Sequence, residues 1–281
     1  MGGLDRMDTM ESRAVSGCSE VFLQISNSPK QDWRTAIRHV WLCGKNRAMS
    51  MPSMNPRKIV VLTGAGVSAP SGLATFRSLG GLWEQHRIED VASPEGWARD
   101  PGLVLRFYNL RREALATAVP NDAHRAIADL QDRFEVVVIT QNVDDLHERA
   151  GSKCVIHLHG ELRKVRSTRD ESTVVDIGYT SVALGQVCAK GGQMRPHIVW
   201  FGEDVMHLDE ARDHIEEASR FVVAGTSLAV FPAAGLVRYA HEKAEKIVVD
   251  LDPPAVPGGF RVLKGSADGV MRGLASEWLN S

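Results

Sequence analysis

Short runs of β-branched and aliphatic residues alternate along the chain with longer segments in which apolar residues recur every three or four positions. The first pattern is typical of strands buried in a parallel sheet, and it occurs at residues 58–63, 134–140, 155–158, 221–224 and 247–251. The second pattern predicts helices, and it occurs at residues 121–133, 209–219, 232–243 and 267–279. This alternation predicts an α/β fold, a Rossmann-like parallel sheet with helices on both faces.

Three segments depart from the alternation. Residues 80–119 are mostly helical in pattern, and residues 163–195 are polar without a clear period. We expect these two insertions to form a smaller module beside the sheet. Residues 1–56 precede the first strong strand and change from mixed charge to mostly basic. They are interpreted as an N-terminal extension, disordered or the product of a mis-assigned start codon, so that the main domain spans residues 57–281.

Composition narrows the class of protein. The 281 residues are 43% hydrophobic and 24% charged, with a formal net charge of −2. A near-neutral total argues against a surface that binds nucleic acid throughout, and no apolar run has the length of a membrane helix. The four cysteines are far apart and form no CxxC pair, so spacing predicts neither a disulfide framework nor a thiolate zinc site. We expect a monomeric cytoplasmic protein without nucleic-acid or membrane partners.

A glycine-rich turn, GAGVSA at residues 64–69, directly follows the first strand. It fits the GxGxxA pattern, in which glycines let the backbone approach a pyrophosphate and helix-end amides meet its charge. Glycines at a strand end also occur for packing reasons alone. An ordinary dehydrogenase would need an acidic residue about 20 positions later at a strand end. Glu84 has that spacing, but its surroundings do not resemble a strand.

Two polar motifs follow later strands. In TQNVDDLH (140–147), Gln141, Asn142 and Asp144 are suited to hold a ribose, although Asp144 or Asp145 could instead only cap the next helix. In HLHGEL (157–162), the two histidines at i and i+2 have a spacing that metals also use, but no third ligand follows nearby. A histidine beside a glycine is a candidate general base as well as a structural residue.

Two further motifs complete the set. RPHIVWFGE (195–203) is a strand-like run, either a core strand or an edge that binds an extended peptide. Gly225-Thr226-Ser227 is another small turn after a strand, suited to a close backbone approach to a cofactor.

The five motifs, in this order, resemble the sirtuin family of NAD-dependent protein lysine deacylases. The resemblance runs from about Lys58 to the C-terminus. It implies an enzyme that transfers the acyl group of an acyl-lysine to the ADP-ribose part of NAD, giving free lysine, nicotinamide and O-acyl-ADP-ribose. Acyl-lysine proteins are its implied substrates.

The resemblance also assigns residues. His159 matches the catalytic base, and Asn142 is a second catalytic position. The stretch from 199 to 203 matches the edge that clamps the substrate peptide: Val199, Trp200, Phe201, Gly202 and Glu203. Asp250-Leu251-Asp252 stands where the family usually has Asn-Leu-Glu, a departure that keeps acceptors for ribose hydroxyls. The implied NAD-binding residues are Gly64, Ala65, Gly66, Ser68, Phe76, Arg77, Trp83, Gln141, Asn142, Asp144, Gly225, Thr226, Ser227, Asp250, Leu251, Asp252 and Ala267.

The acyl preference of the enzyme is a further expectation. Tyr108 and Arg111 resemble the YxxR motif of the desuccinylase-type branch, and Ala92 matches the small residue that widens the acyl pocket of that branch. On a helix, Tyr108 and Arg111 share a face, and arginine and tyrosine can both donate to a carboxylate. The alternative is that Arg111 is one of several solvated helix arginines. We therefore expect desuccinylation and demalonylation beside deacetylation.

The zinc site of the family is incomplete. The first cysteine pair should begin near Ser167, where there is no cysteine, and the second pair is reduced to Cys188 with Gly191 in place of the other thiolate. One thiolate cannot hold zinc tetrahedrally, so zinc is not expected. Two other functions remain open: an NAD-dependent ADP-ribosyltransferase or NAD-cleaving enzyme, and a non-catalytic NAD-sensing module.

Overall fold

The computed structural model describes residues 53–73 and 86–281, and its centre is a sheet of six parallel strands. The strand order is β3-β2-β1-β7-β8-β9, and every neighbouring pair is parallel. These strands are β1 (Asn55–Thr63), β2 (Glu135–Thr140), β3 (Val155–His157), β7 (Ala218–Ala224), β8 (Glu245–Asp250) and β9 (Phe260–Lys264). The chain adds β2 and β3 on one side of β1 and then β7 to β9 on the other. The direction of strand order therefore reverses at β1, which is where open α/β sheets form a ligand crevice.

Helices cover both faces of this sheet, as predicted. Successive residues of a strand point to opposite faces, so Ile59 and Val61 of β1 pack into one core and Val60 and Leu62 into the other. The first core is covered by α5 (Asp122–Asp129) and α8 (Ala267–Asn280). The second is covered by α7 (Leu208–Glu217) and by a 3₁₀ segment at Ala233–Tyr239. Two short helices, α1 (Ala65–Ser68) and α6 (Leu146–Arg149), follow β1 and β2.

The two insertions pack beside the sheet. The first contributes helices, α2 (Ile88–Val91), α3 (Pro94–Arg99) and α4 (Pro101–Thr117). The second belongs to a three-stranded antiparallel sheet of order β5-β4-β6, with β4 (Gly160–Ser167), β5 (Val174–Asp176) and β6 (Met194–Ile198). A small apolar cluster of Leu105, Val165, Val182 and Met194 joins α4 to this sheet.

Several predicted boundaries were wrong. The helix predicted at residues 232–243 is the 3₁₀ segment at Ala233–Tyr239. Gly235 lies inside it and disfavours helix, and the chain is extended again at Ala240. The helix predicted at 209–219 ends at Glu217, because Ala218 and Ser219 already belong to β7. Strand β1 begins at Asn55 and not at Lys58, since Asn55 pairs with Ala218.

Three strands were not predicted, and parts of two predicted segments lie outside the described residues. Strand β9 at the sheet edge was not predicted, nor were β4 and β5 in the polar stretch. The predicted N-terminal extension lies outside the described residues except for residues 53–56, and residues 80–85 of the first insertion also lie outside them. Within residues 53–73 and 86–281, no helix combines the length and apolar character that crossing a membrane requires.

Candidate functional site

The loops that follow β1, β2 and β7 meet at the carboxyl edge of the sheet. The N–H of Gly64 donates to the carbonyl of Ala224 (3.1 Å), and the N–H of Gly66 donates to the carbonyl of Gly225 (2.8 Å). The amide of Gln141 donates to the Thr226 hydroxyl (3.0 Å). The glycine turn and the two polar motifs therefore form one site at the reversal point of the sheet.

Glycines in this site are required by the contact between loops. A Cβ on Gly64 would lie 2.6 Å from the Cβ of Thr226, and one on Gly66 would lie 2.8 Å from the Cα of Gly225. Gly225 itself has a φ of 59°, in the left-handed region that favours glycine. The packing explanation for these glycines is thus correct, and it is compatible with a backbone approach to a diphosphate.

A buried cluster of polar side chains lies beside the glycine turn. The Ser68 hydroxyl donates to the Asp144 carboxylate (2.9 Å), and the Asn142 amide donates to the Ser68 oxygen and to the Gly64 carbonyl (3.1 Å each). Burial raises the pKa of Asp144, against the opposing effect of the bond from Ser68. The other Asp144 oxygen accepts the N–H of Leu146 (3.2 Å). Asp144 therefore supports the helix start and also belongs to the cluster.

Its neighbour Asp145 has a structural role. It is the N-cap residue of α6 without a side-chain capping bond. Its carboxylate instead accepts the Tyr179 hydroxyl (2.6 Å) and pairs with Arg149 and Arg163.

His159 follows β3 in a turn, next to this cluster. Its Nδ1 lies 3.0 Å from the carbonyl oxygen of Gln141. A carbonyl only accepts, so Nδ1 carries the hydrogen, and in the neutral ring Nε2 carries the lone pair. Burial lowers the pKa of His159, although the bond to Gln141 opposes this shift. A neutral imidazole with a defined tautomer is what a general base requires.

The second histidine of the motif has different partners. His157 ends β3, and its ring nitrogens contact the Asn142 carbonyl (3.1 Å) and the Glu148 carboxylate (2.7 Å). The motif is therefore not a pair of residues on one strand face, because His159 lies beyond the strand.

The residues predicted to line the acyl pocket lie in an apolar cluster where α4 packs against the chain after β6, and we call this group the pocket wall. Ala92, Tyr108 and Trp200 belong to one buried cluster. The indole N–H of Trp200 donates to the Tyr108 hydroxyl oxygen (3.1 Å). The Arg111 guanidinium lies 5.6 Å from the Tyr108 ring centroid. Burial lowers the pKa of Arg111, and the nearby Tyr108 and Asp144 oppose this shift. The helix thus presents both YxxR residues on one side, as its spacing predicts.

Backbone hydrogen bonds of residues 199–203 connect His159 to Ala92 of the pocket wall. The N–H of Val199 donates to the His159 carbonyl, and the N–H of Phe201 donates to the Ala92 carbonyl (3.0 Å each). The strand predicted through this motif ends at Ile198, and Gly202, with a φ of 93°, lies in the turn that follows. The prediction that the strand continues through 199–203 was therefore wrong, and the contact of these residues with a substrate peptide stays a prediction.

The Glu203 carboxylate is used internally. It accepts the backbone N–H of Trp200 (2.9 Å) and pairs with Arg195 (2.6 Å) and Arg166 (2.9 Å). The Arg195 guanidinium also lies against the Trp200 ring. These bonds hold Trp200 in its buried position, whereas the side chain of Phe201 is about half exposed.

Comparison with known proteins agrees with this geometry. Residues 64–232 match the Sir2 family. The chain belongs to the Sir2 family. It is 48% identical over 222 residues to an NAD-dependent protein deacylase of Bacteroides thetaiotaomicron, covering 76% of this chain and 95% of that protein. It is 52% identical over 212 residues to an NAD-dependent protein deacylase of Vibrio parahaemolyticus, covering 73% of this chain and 87% of that protein.

The Sir2 fold is also found in solved structures. The crystal structure of a Sir2 homologue in complex with NAD is 40% identical in sequence and superposes with a TM-score of 0.72. The match covers 80% of this chain and 90% of that one. The parallel sheet with helices on both faces is thus the Sir2 arrangement.

The remaining residues that the resemblance assigns to NAD binding differ in position and exposure in this Sir2 protein. Asp250 ends β8 and accepts the N–H of Asp252 (2.9 Å), while Leu251 is exposed. Ala267, the first residue of α8, is buried in the core cluster that also holds Val67 and Ala224. Ser227 follows Thr226 in the third loop and is exposed. Three predicted NAD contacts lie outside the described residues: Phe76, Arg77 and Trp83.

The small module brings together Ser167 and Cys188, the two positions at which the sequence predicts an incomplete zinc site. The Ser167 hydroxyl and the Cys188 sulfur are 3.1 Å apart. The Ser167 oxygen also accepts the N–H groups of Arg169 and Asp170 (3.1 and 3.3 Å). The bond from Ser167 lowers the pKa of Cys188. In the part of the chain that the structure describes, no group of three or more His, Cys, Asp or Glu side chains is arranged to hold a metal.

Two features of the site were missed from the sequence. His124 lies beneath Ser68 (3.5 Å) and accepts the N–H of Asn121 in a capping box, and the Asn-x-x-His spacing was the available signal. The bonds of His157 had no such signal, because one partner is a backbone carbonyl and the other lies nine residues away.

Proposed function

We propose that this Sir2 protein is an NAD-dependent protein lysine deacylase that removes succinyl and malonyl groups as well as acetyl groups. The deacylase activity follows from the family and from the relatives' names. The preference for acidic acyl groups is the finer part of the proposal, and it is supported by the residues of the pocket wall.

The polar residues of the crevice fit NAD. Hydroxyl, amide and carboxylate groups from Ser68, Asn142 and Asp144 suit ribose hydroxyls and a carboxamide, and Gln141 and Thr226 extend the same set toward β7. When bound, NAD supplies the ADP-ribose to which the acyl group is transferred, with release of nicotinamide.

The chain's own residues supply positioning and proton transfer. His159 takes up a proton at Nε2, because its Nδ1–H is bonded to Gln141. The amide nitrogen of Asn142 donates to Ser68 and Gly64, so its Oδ1 orients the bound sugar. The turn after β6 joins the base to the acyl pocket through the bonds of Val199 and Phe201. Buried Ala92, Tyr108 and Trp200 keep water from the acyl chain.

The observation that carries the acyl preference is the pairing of two donors on one side of α4. An indole N–H only donates, so the Tyr108 oxygen accepts the bond from Trp200 and its own hydrogen is left for another acceptor. Arg111 places a charged fork over the same ring. A carboxylate at the end of an acyl chain would meet both donors, and without them its burial would be costly.

The test is mass spectrometry of the products formed from matched acetyl-, succinyl- and malonyl-lysine peptides with NAD. We expect free lysine and the corresponding O-acyl-ADP-ribose from all three, with the acidic acyl groups processed at least as well as acetyl. Release of nicotinamide with an ADP-ribosylated protein, or with free ADP-ribose alone, would instead indicate a transferase or an NAD-cleaving enzyme.

A further inference from the structure

The contacts of His157 match a charged ring beside an ionised carboxylate. Its Nε2 lies 2.7 Å from a carboxylate oxygen of Glu148, and its Nδ1 lies 3.1 Å from the carbonyl oxygen of Asn142. Both partners accept hydrogen bonds, and a neutral imidazole has only one N–H. Both contacts are satisfied together when His157 is an imidazolium with two N–H donors and Glu148 is ionised.

The electrostatics of the pair agree with this assignment. Burial alone would lower the pKa of His157, but the bond and charge of Glu148 raise it above the ordinary value. Burial alone would raise the pKa of Glu148, but the bond and charge of His157 lower it. Both shifts favour the ion pair at neutral pH.

Two consecutive carbonyls link the two histidines of the motif. His159 donates to the carbonyl of Gln141, and His157 donates to the carbonyl of Asn142. The side chain of Asn142 in turn bonds to Ser68 and Gly64. The short segment 141–142 therefore presents the crevice amide on one side and supports the base on the other.

We propose that His157 is a positioning residue for deacylation: as an imidazolium held by Glu148, it fixes the Asn142 carbonyl and with it the segment that supports His159. The proposal rests on the deacylase function and on His159 as its base. It predicts a rate loss at high pH that belongs to His157.

The pH dependence follows from the single N–H of a neutral His157, which can donate to only one of its two acceptors. A hydrogen bond to a charged acceptor is stronger than one to a neutral carbonyl, so the single remaining hydrogen stays on Nε2 and faces Glu148. The lone pair of Nδ1 then opposes the carbonyl of Asn142. His157 thus holds the Asn142 carbonyl below its raised pKa, and this hydrogen bond is lost as pH rises through that pKa.

Other titratable groups near His157 belong to several elements, and two of them, Asp144 and His147, lie in the loop after β2 and in α6. Glu148 lies on α6, Glu161 on β4 and His197 on β6. His207 and Glu210, at the start of α7, line a cavity of about 160 Å³ together with His157, Glu161 and His197. Of these acids, Glu148 alone contacts the His157 ring, and Glu161 is paired with Lys164.

The test is the variant Glu148→Gln. Its amide nitrogen can donate to Nε2 of a neutral His157, whose Nδ1–H then stays on Asn142 at every pH. An acetyl-lysine peptide, which has no titrating acyl group, is assayed at saturating NAD between neutral and alkaline pH. We expect wild-type kcat to fall about twofold to tenfold through this range, the loss of one hydrogen bond, and the variant to keep its neutral-pH rate.

The matched control is Glu210→Gln, which makes the same change from carboxylate to amide at another residue, in the cavity that His157 lines. Glu210 pairs with exposed His207 (3.0 Å) and does not contact His157, so this variant should keep the wild-type decline. A decline of equal size in wild type and Glu148→Gln, or its loss in both variants, would overturn the proposal.

Two further measurements keep the outcomes separate. Thermal unfolding over the same pH range shows whether each variant stays folded, and His157→Gln, whose amide does not titrate, replaces Glu148→Gln if that variant unfolds. His159→Ala tests the underlying function. Deacylation that survives His159→Ala would reject the base, whereas an inactive His159→Ala with unchanged pH profiles in the other variants would reject only the role of His157.

Discussion

Replacing Arg111 by methionine should separate the acyl groups that this enzyme accepts. The Arg111 guanidinium lies beside the rings of Phe107 and Tyr108, 5.8 and 5.6 Å from their centroids. Burial lowers the pKa of Arg111, so the charge is partly removed from water before any substrate arrives. Methionine has a similar length and keeps the apolar contact with both rings, but it carries no charge and no donor.

The size of the effect follows from the bond that is lost. A hydrogen bond between charged groups contributes about 1.5–3 kcal/mol, which corresponds to about tenfold to a hundredfold in kcat/KM. A succinyl carboxylate would lose this bond and would be buried beside Tyr108 alone. Acetyl-lysine has no carboxylate, so its kcat/KM should change much less than that of the succinyl peptide.

The assay compares kcat/KM on acetyl and succinyl peptides of one sequence. Arg106→Met is the matched control, because Arg106 is an exposed arginine on the same helix, and it should affect neither substrate. Tyr108→Phe should act in the same direction as Arg111→Met but by less, because it removes a hydroxyl and no charge. Equal losses on both peptides with Arg111→Met would show that Arg111 only supports the helix, and the preference for acidic acyl groups would be refuted.

Four other measurements test the rest of the site. His159→Ala should abolish deacylation while NAD affinity stays nearly unchanged; substantial turnover would reject the base. Because burial lowers the pKa of His159, kcat/KM should fall as the pH is lowered, with the midpoint of the fall below pH 6.5. A midpoint above pH 6.5 would contradict the assignment of His159 as the base. The purified protein should contain no stoichiometric zinc and keep its Tm with a chelator, since Cys188 is the one cysteine between residues 164 and 195; elemental analysis checks this. A chain starting at Met54 should fold and remain active; loss of either would place the preceding residues in the domain.

The central sheet could be predicted because its strands are buried on both faces. A strand in that position needs apolar residues at nearly every position, and Ile59, Val60, Val61 and Leu62 show this pattern in β1. The glycine turn and the two polar motifs follow directly after β1, β2 and β7. Because the carboxyl ends of parallel strands lie at one edge of a sheet, the order of the motifs along the chain was enough to predict that they meet there.

The small module and the sheet edge could not be predicted in the same way. Strand β5 is exposed along its length, and much of β9 is exposed as well, so neither has a buried face that the apolar pattern could reveal. The ion pairs of Glu203 could not be predicted from the sequence either. Its partners Arg166 and Arg195 come from two antiparallel strands, β4 and β6, whose pairing is a tertiary feature.

The glycines of the crevice show why a motif and its role must be separated experimentally. Gly64 and Gly66 match a dinucleotide-binding turn, yet both are required by contacts with Thr226 and Gly225. The atoms that a Cβ on Gly64 would meet include the backbone oxygen of Gly225 at 2.8 Å, which cannot move as a flexible side chain can. Gly64→Ala should therefore destabilise the fold by about 1–3 kcal/mol, the usual cost of overpacking, whether or not NAD is present. Weaker NAD binding in this variant at unchanged stability would show instead that Gly64 acts through the ligand, so denaturant unfolding without NAD must accompany any binding measurement at this turn.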